Sequence, residues 1–88
     1  MNEYQVIFSR SAQKEIDNLP TEVIGRISPK IEALAVEPRP NGCKKLSGQL
    51  STWRIKVGDY RVIYKVNDDN RILEVVMVGP SKSSIQVG

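Results

Sequence analysis

Eighty-eight residues at 40% hydrophobic content suffice for one modest core, so a single domain over residues 1–88 is expected. Thirteen Lys and Arg against ten Asp and Glu give a net charge of +3, a mild basic excess that suits nucleic acid or an acidic protein partner without selecting either. Histidine is absent and Cys43 stands alone, which excludes a disulfide framework, a Cys/His zinc site and histidine acid–base catalysis; with no membrane-length apolar run and no signal-like N-terminus, a soluble, cytoplasmic protein without metal or cofactor is the expectation.

In chain order, Tyr4-Gln5-Val6-Ile7-Phe8 reads as a short strand buried on much of both sides. Ser9 or Ser11 can cap a helix through Leu19 whose apolar positions are Ala12, Ile16 and Leu19. Leu19-Pro20-Thr21 breaks the pattern, and Thr21 can cap a second helix running to about Ala35. There Val23, Ile24, Ile27, Ile31 and Leu34 recur at three- and four-residue steps as one buried stripe. Pro29 lies inside that stripe without changing its phase, which predicts one kinked helix or two short ones end to end. Residues 37–42, rich in Pro and Gly, form a loop. Cys43-Lys44-Lys45 and the residues after it lead into the sheet, with Leu46 and Leu50 tucked under it.

The most informative stretch is Trp53-Arg54-Ile55-Lys56-Val57-Gly58-Asp59-Tyr60-Arg61-Val62-Ile63-Tyr64-Lys65-Val66. It alternates, is rich in β-branched and aromatic residues, and breaks once at Gly58-Asp59. These are the marks of two strands joined by a two-residue turn with Gly first, as type II′ prefers. Trp53, Ile55 and Val57 then share a core face with Tyr60, Val62, Tyr64 and Val66. The opposite face carries Arg54, Lys56, Arg61 and Lys65, along with Ile63. The turn sets Lys56 across from Arg61, and Arg54 across from Ile63. Like charges opposed across a strand pair cost roughly 0.2–1 kcal/mol. Two readings of the face follow: an anion site, with a phosphate backbone as the obvious anion, or an ordinary solvated strand surface. The pair Lys44-Lys45 has the same two readings.

Residues 67–70 form a turn, and Arg71 to Val78 a strand. Leu73, Val75 and Met77 are expected on the core side opposite Tyr64, Val62 and Tyr60, with Ile72, Glu74, Val76 and Val78 on the cationic side. Glu74 reads as a solvated partner for nearby cations. Gly79-Pro80 ends the strand, and the polar tail that follows brings Lys82 within reach of the cationic face. The fold class is α+β, with two helices from the N-terminal half packed on one face of a small antiparallel sheet, order β-α-α-β-β-β.

The segment LSGQLSTWRIKVGDYRVIYKV, followed by a hydrophobic strand ending in Val78-Gly79, resembles the RelE/ParE toxin superfamily, in particular its RelE-like mRNA interferase branch. The opening YQVIFSRSAQKEIDNLP is similar to that family's first strand and helix, and EALAVEPRPNGCKKLSG to its second helix and loop. The resemblance implies a toxin of a type II toxin–antitoxin pair that enters the ribosomal A site and cuts messenger without a metal, by attack of a ribose 2′-OH on the adjacent phosphate. It implies a RelB-like antitoxin as partner, the ribosome and mRNA as targets, and operator DNA reached only through the antitoxin complex. Carried over residue by residue, Arg54 and Lys56 fall on the family's two basic strand positions and Arg61 on its phosphate-binding arginine. Cations there stabilise the charge that builds on the phosphate oxygens. A lysine held among cations can serve as general base, and Lys56, opposed by Arg61, is the candidate. Lys44, Lys45 and Lys65 are candidates for RNA binding. The tail departs from the family's pattern: where a His or Arg, and later a Tyr, are usual, this chain has Pro80-Ser81 and Val87, with Lys82 as the candidate substitute. Two alternatives stay open, a ParE-like gyrase inhibitor without nuclease chemistry and a catalytically impaired relative that only binds an antitoxin.

Overall fold

The computed structural model describes residues 3–46 and 51–80. Strand β1 (Gln5–Phe8) is followed by helices α1 (Arg10–Asp17) and α2 (Thr21–Val36), then by strands β2 (Lys44–Lys45), β3 (Thr52–Val57), β4 (Tyr60–Asn67) and β5 (Ile72–Pro80). One five-stranded sheet results, in the order β1-β5-β4-β3-β2. The expected sequence of elements holds, with the two-residue β2 added at one edge. Four strands pair antiparallel, whereas β1 runs parallel to β5 at the other edge, a direction that the intervening helices allow and a hairpin would not.

Each helix starts and stays in register for identifiable reasons. Ser9 is the N-cap of α1, and its Oγ accepts from Ala12 N–H at 3.1 Å. The second helix is a single helix through Pro29, preceded by Pro20 rather than by a side-chain cap from Thr21. Pro29 and Gly25, whose carbonyl loses its partner, both lie on the exposed side, where water can serve that carbonyl. Ile27, Ile31 and Leu34 are buried as the stripe predicts. They pack with Ala12 on Val57, Val62, Tyr64, Val66, Leu73, Val75 and Val78 of the sheet, and the partly buried Trp53, Ile55 and Tyr60 border this core. The buried Tyr64 hydroxyl donates to Pro38 O at 2.7 Å, which ties the 37–42 loop to the sheet. Burial, and secondarily the neighbouring Cys43, push that hydroxyl's pKa up.

The β3–β4 turn places Val57 opposite Tyr60, Lys56 opposite Arg61, Ile55 opposite Val62 and Arg54 opposite Ile63, as the two-residue loop requires. Gly58 supplies the left-handed φ of +60° at its first position. The last strand corrects the sequence reading. Leu73 faces Val66 and Val75 faces Tyr64, two residues from the expected register, and a bulge at Val76 then reverses the alternation. Met77 is therefore opposite Ile63 and 40% exposed, while Val78, expected outside, is opposite Val62 and 2% exposed. The first strand also differs from expectation: as an edge strand it leaves Ile7 and Phe8 partly exposed.

Helix α1 covers the part of β5 that β1 is too short to reach. Ser9 N–H donates to Val75 O at 2.9 Å, Ser9 Oγ lies 3.4 Å from Val76 O at the bulge, and Glu15 Oε1 accepts from Val78 N–H at 2.7 Å. The strand edge is thus closed by side chains where its neighbour ends. No helix among the described residues is long and apolar enough to cross a membrane.

Candidate functional site

Residues opposed across paired strands share a face, so the register maps the sheet surface turned away from the helices. Lys44, Arg54, Ile63 and Met77 form one row across β2, β3, β4 and β5. Lys56, Arg61 and Gly79 form the next, and Thr52, Lys65, Glu74 and Ile7 lie on the other side of the first. Arg54, Lys56 and Arg61 converge as the alternation argument expects, and Lys44 and Lys65 extend the same surface. Lys45 does not belong to it. It pairs with Trp53 and so lies on the helix side of the sheet, because consecutive residues of a strand point to opposite faces. Lys82 lies outside the described residues. Glu74 stands across from Lys65, as a counter-charge for one margin of the basic surface.

Arg61 is the most constrained of the cations. Its guanidinium Nε is buried and has no hydrogen-bond partner among the described residues. Across from it is Gly79, where even an added Cβ would meet nothing within 4 Å, so the strand offers no side chain against the guanidinium. Arg61 and Met77 line one open cleft of about 360 Å³ with Glu15, Asn18, Leu19 and the Val78–Pro80 end of β5. Arg54 is half-buried, whereas Lys44, Lys56 and Lys65 are exposed. A planar donor held in partial burial, with mobile ammonium groups around it, is suited to grip a phosphate and hold it in one orientation.

A second polar cluster lies near the β4–β5 turn, and sequence reasoning did not find it. Asp68 accepts from the Tyr4 hydroxyl and pairs with Arg39 at 3.0 Å, while the Arg39 guanidinium lies 5.6 Å from the centre of the Trp53 ring. The Tyr4 hydroxyl, and after it Arg39, hold the Asp68 carboxyl below the usual carboxylate range; the same hydrogen bond raises Tyr4. Asp68 Oδ1 takes both the Tyr4 hydroxyl and the Arg39 guanidinium, so the cluster is a clasp between the 37–42 loop, the residue before β1 and the turn. The residues are 64 and 29 positions apart, beyond any local motif. Glu15 was missed for the same reason: its role at the β5 edge depends on how α1 docks.

Comparison with known proteins bears on the family and the fold. Residues 6–85 match the family profile described as ParE toxin of type II toxin-antitoxin system, parDE. Among solved structures, the toxin–antitoxin complex of E. coli RelBE contains a chain 29% identical over 89% of this chain and 96% of its own, with a TM-score of 0.80. The archaeal RelE–RelB complex from Pyrococcus horikoshii gives 29% identity over 89% and 94%, with a TM-score of 0.78. The isolated E. coli RelE toxin gives 28% over 96% and 95%, with a TM-score of 0.79. No curated protein matches significantly. With four-fifths and more of its length inside the family profile and the RelE fold throughout the described residues, this chain belongs to the ParE toxin family of type II toxin–antitoxin systems, within the RelE/ParE superfamily.

Proposed function

We propose that this toxin is a metal-independent, ribosome-dependent mRNA endonuclease, acting in the cytoplasm on messenger held in the ribosomal A site. The observation that carries the reading is the convergence of Arg54, Lys56 and Arg61 on one open sheet face, with the buried Nε of Arg61 unpartnered among the described residues. In this reaction a ribose 2′-OH attacks the adjacent phosphorus, the bond to the 5′ oxygen breaks, and a 2′,3′-cyclic phosphate is left behind. Negative charge accumulates on the non-bridging oxygens as the fifth bond forms. Arg61 and Arg54 meet that charge with preorganised donors, a contribution of about 3–4 kcal/mol for a single donor in comparable sites. Lys56, exposed beside Arg61, is the group positioned to take up the 2′-OH proton. Lys44 and Lys65 extend the basic surface along the RNA backbone, and Lys82 is the candidate to assist the leaving oxygen. Lys45, on the far face, has no part in this site.

The partner is a RelB-like antitoxin, by analogy with the RelE–RelB complexes from E. coli and P. horikoshii, and operator DNA would be engaged only through that complex. A second reading, inhibition of gyrase without nuclease chemistry, is favoured by the ParE profile match and by the absence of His and of a tail Tyr. Expression of the chain alone in a bacterium, beside Arg61→Ala, separates the two when messenger 5′ ends are mapped by primer extension. Cuts inside translated codons that vanish in the variant are expected. Growth arrest with intact messenger would select the gyrase reading, and no arrest at all would leave an antitoxin-binding relative without activity.

A further inference from the structure

The bulge at Val76 has a chemical consequence for the basic face. It turns Met77 outward, opposite Ile63, so that an apolar shelf lies in the middle of the cations. Arg54 adjoins the shelf on the β3 side, and Arg61 shares with Met77 the cleft at the end of α1. Glycine follows one residue beyond Val78 and leaves the cleft floor low. Met77 is 40% exposed and pairs with the half-buried Ile63, so two apolar side chains lie side by side on the open face.

The ligand that fits must carry negative charge for Arg54 and Arg61 and a flat apolar surface for Ile63 and Met77. An amphipathic protein helix satisfies the second need but gains nothing from surrounding cations unless it is acidic, and inorganic anions satisfy only the first. Single-stranded RNA satisfies both, since each phosphate is one nucleotide away from an unpaired base. Among the described residues the outer face carries no aromatic side chain, and a polarizable thioether is a known partner for aromatic rings. Within the cleft, Asn18 Nδ2 donates to Lys14 O at 3.0 Å, which leaves its Oδ1 able to accept from a base amine. Glu15 Oε1 is already engaged by Val78 N–H, which directs that carboxylate to the strand edge. We infer that Met77 and Ile63 form a nucleobase platform beside the phosphate-gripping arginines, so that the sheet itself provides the base contact.

This inference rests on the nucleic-acid reading of the face, and the test separates the two. Binding is measured by fluorescence anisotropy with a labelled, uncleavable 2′-O-methyl oligoribonucleotide and with an abasic oligonucleotide of equal length and charge. The wild type should prefer the base-bearing strand. Met77→Ser should weaken that strand about threefold to tenfold and leave the abasic strand and the salt dependence unchanged, whereas Met77→Leu should retain the preference. A wild type that binds both strands equally, or neither, overturns the platform, as does a Met77→Ser protein indistinguishable from wild type. Arg61→Ala should weaken both strands; if it weakens neither, the failure lies with the anion site itself. Thermal unfolding of each variant verifies that the fold is retained.

Discussion

The two faces of this sheet are made from the same strands, often from adjacent residues, yet they obey opposite rules. On the helix side, Val62, Tyr64, Leu73 and Val75 are fully buried, and the Tyr64 hydroxyl is satisfied by Pro38 O. On the other side Lys56 opposes Arg61 and Lys44 opposes Arg54, whereas a buried donor without a partner among the described residues occurs on both faces, the Trp53 indole N–H on one and the Arg61 Nε on the other. The first face lowers the free energy of the folded chain. The second raises it slightly, because like charges are held opposite one another. Opposed cations are an arrangement that a stability argument alone would remove, and the nuclease proposal rests on them.

The contrast can be broken or sharpened by substitution. On the helix side, Leu73→Ala should lose about 2–5 kcal/mol by leaving a cavity behind, a large share of the stability of a domain this size, and urea denaturation followed by circular dichroism would measure it. A loss under 1 kcal/mol would mean that the core tolerates truncation as the outer face does. Ser9→Ala should cost about 1 kcal/mol, since Oγ both caps α1 and sits against the bulged carbonyl of Val76; the same denaturation series applies, with the change in midpoint the decisive reading. On the outer face the sign should reverse. Lys56→Thr relieves an opposed pair of cations and should stabilise the fold by about 0.2–1 kcal/mol while it impairs messenger cleavage. Loss of stability in that variant would show that the lysine supports the fold instead.

The clasp at Asp68 gives the smallest effect and a distinct pH signature. Its carboxyl is held below its ordinary 3.8 in the folded protein, by the Tyr4 hydroxyl first and Arg39 second. The folded state therefore binds that proton less readily than the unfolded chain does. The resulting stabilisation is fully present above pH 4 or so and is lost as the pH falls through the folded-state pKa. Thermal unfolding recorded from neutral pH down to about pH 2 should show a decline in the wild type that is shallower in Asp68→Asn. Parallel curves would mean that the clasp contributes nothing to stability in solution.

Much of the candidate site could be read before the fold was known. Arg54, Lys56, Arg61 and Lys65 were assignable to one face because a two-residue turn leaves no freedom in the register of the strands it joins, and strand alternation does the rest. The stripe Ile27, Ile31 and Leu34 was assignable for the analogous reason in a helix, where periodicity survives an exposed Pro29. These are local constraints, carried by covalent connection over a few residues.

Everything that depended on distant chain segments was decided by packing. The bulge at Val76 exchanged the places of Met77 and Val78, and no residue type there announces it; the side chains of Ser9 and Glu15, brought in by α1, occupy the edge where the strand departs from regular pairing. The parallel direction of β1, the rear-facing position of Lys45 and the joining of Tyr4, Arg39 and Asp68 likewise come from which elements meet. A turn of two residues constrains its strands by geometry alone, but a five-stranded sheet chooses its register by burying the most apolar surface under its helices. That choice is a sum over the whole domain, to which no short stretch of sequence has access.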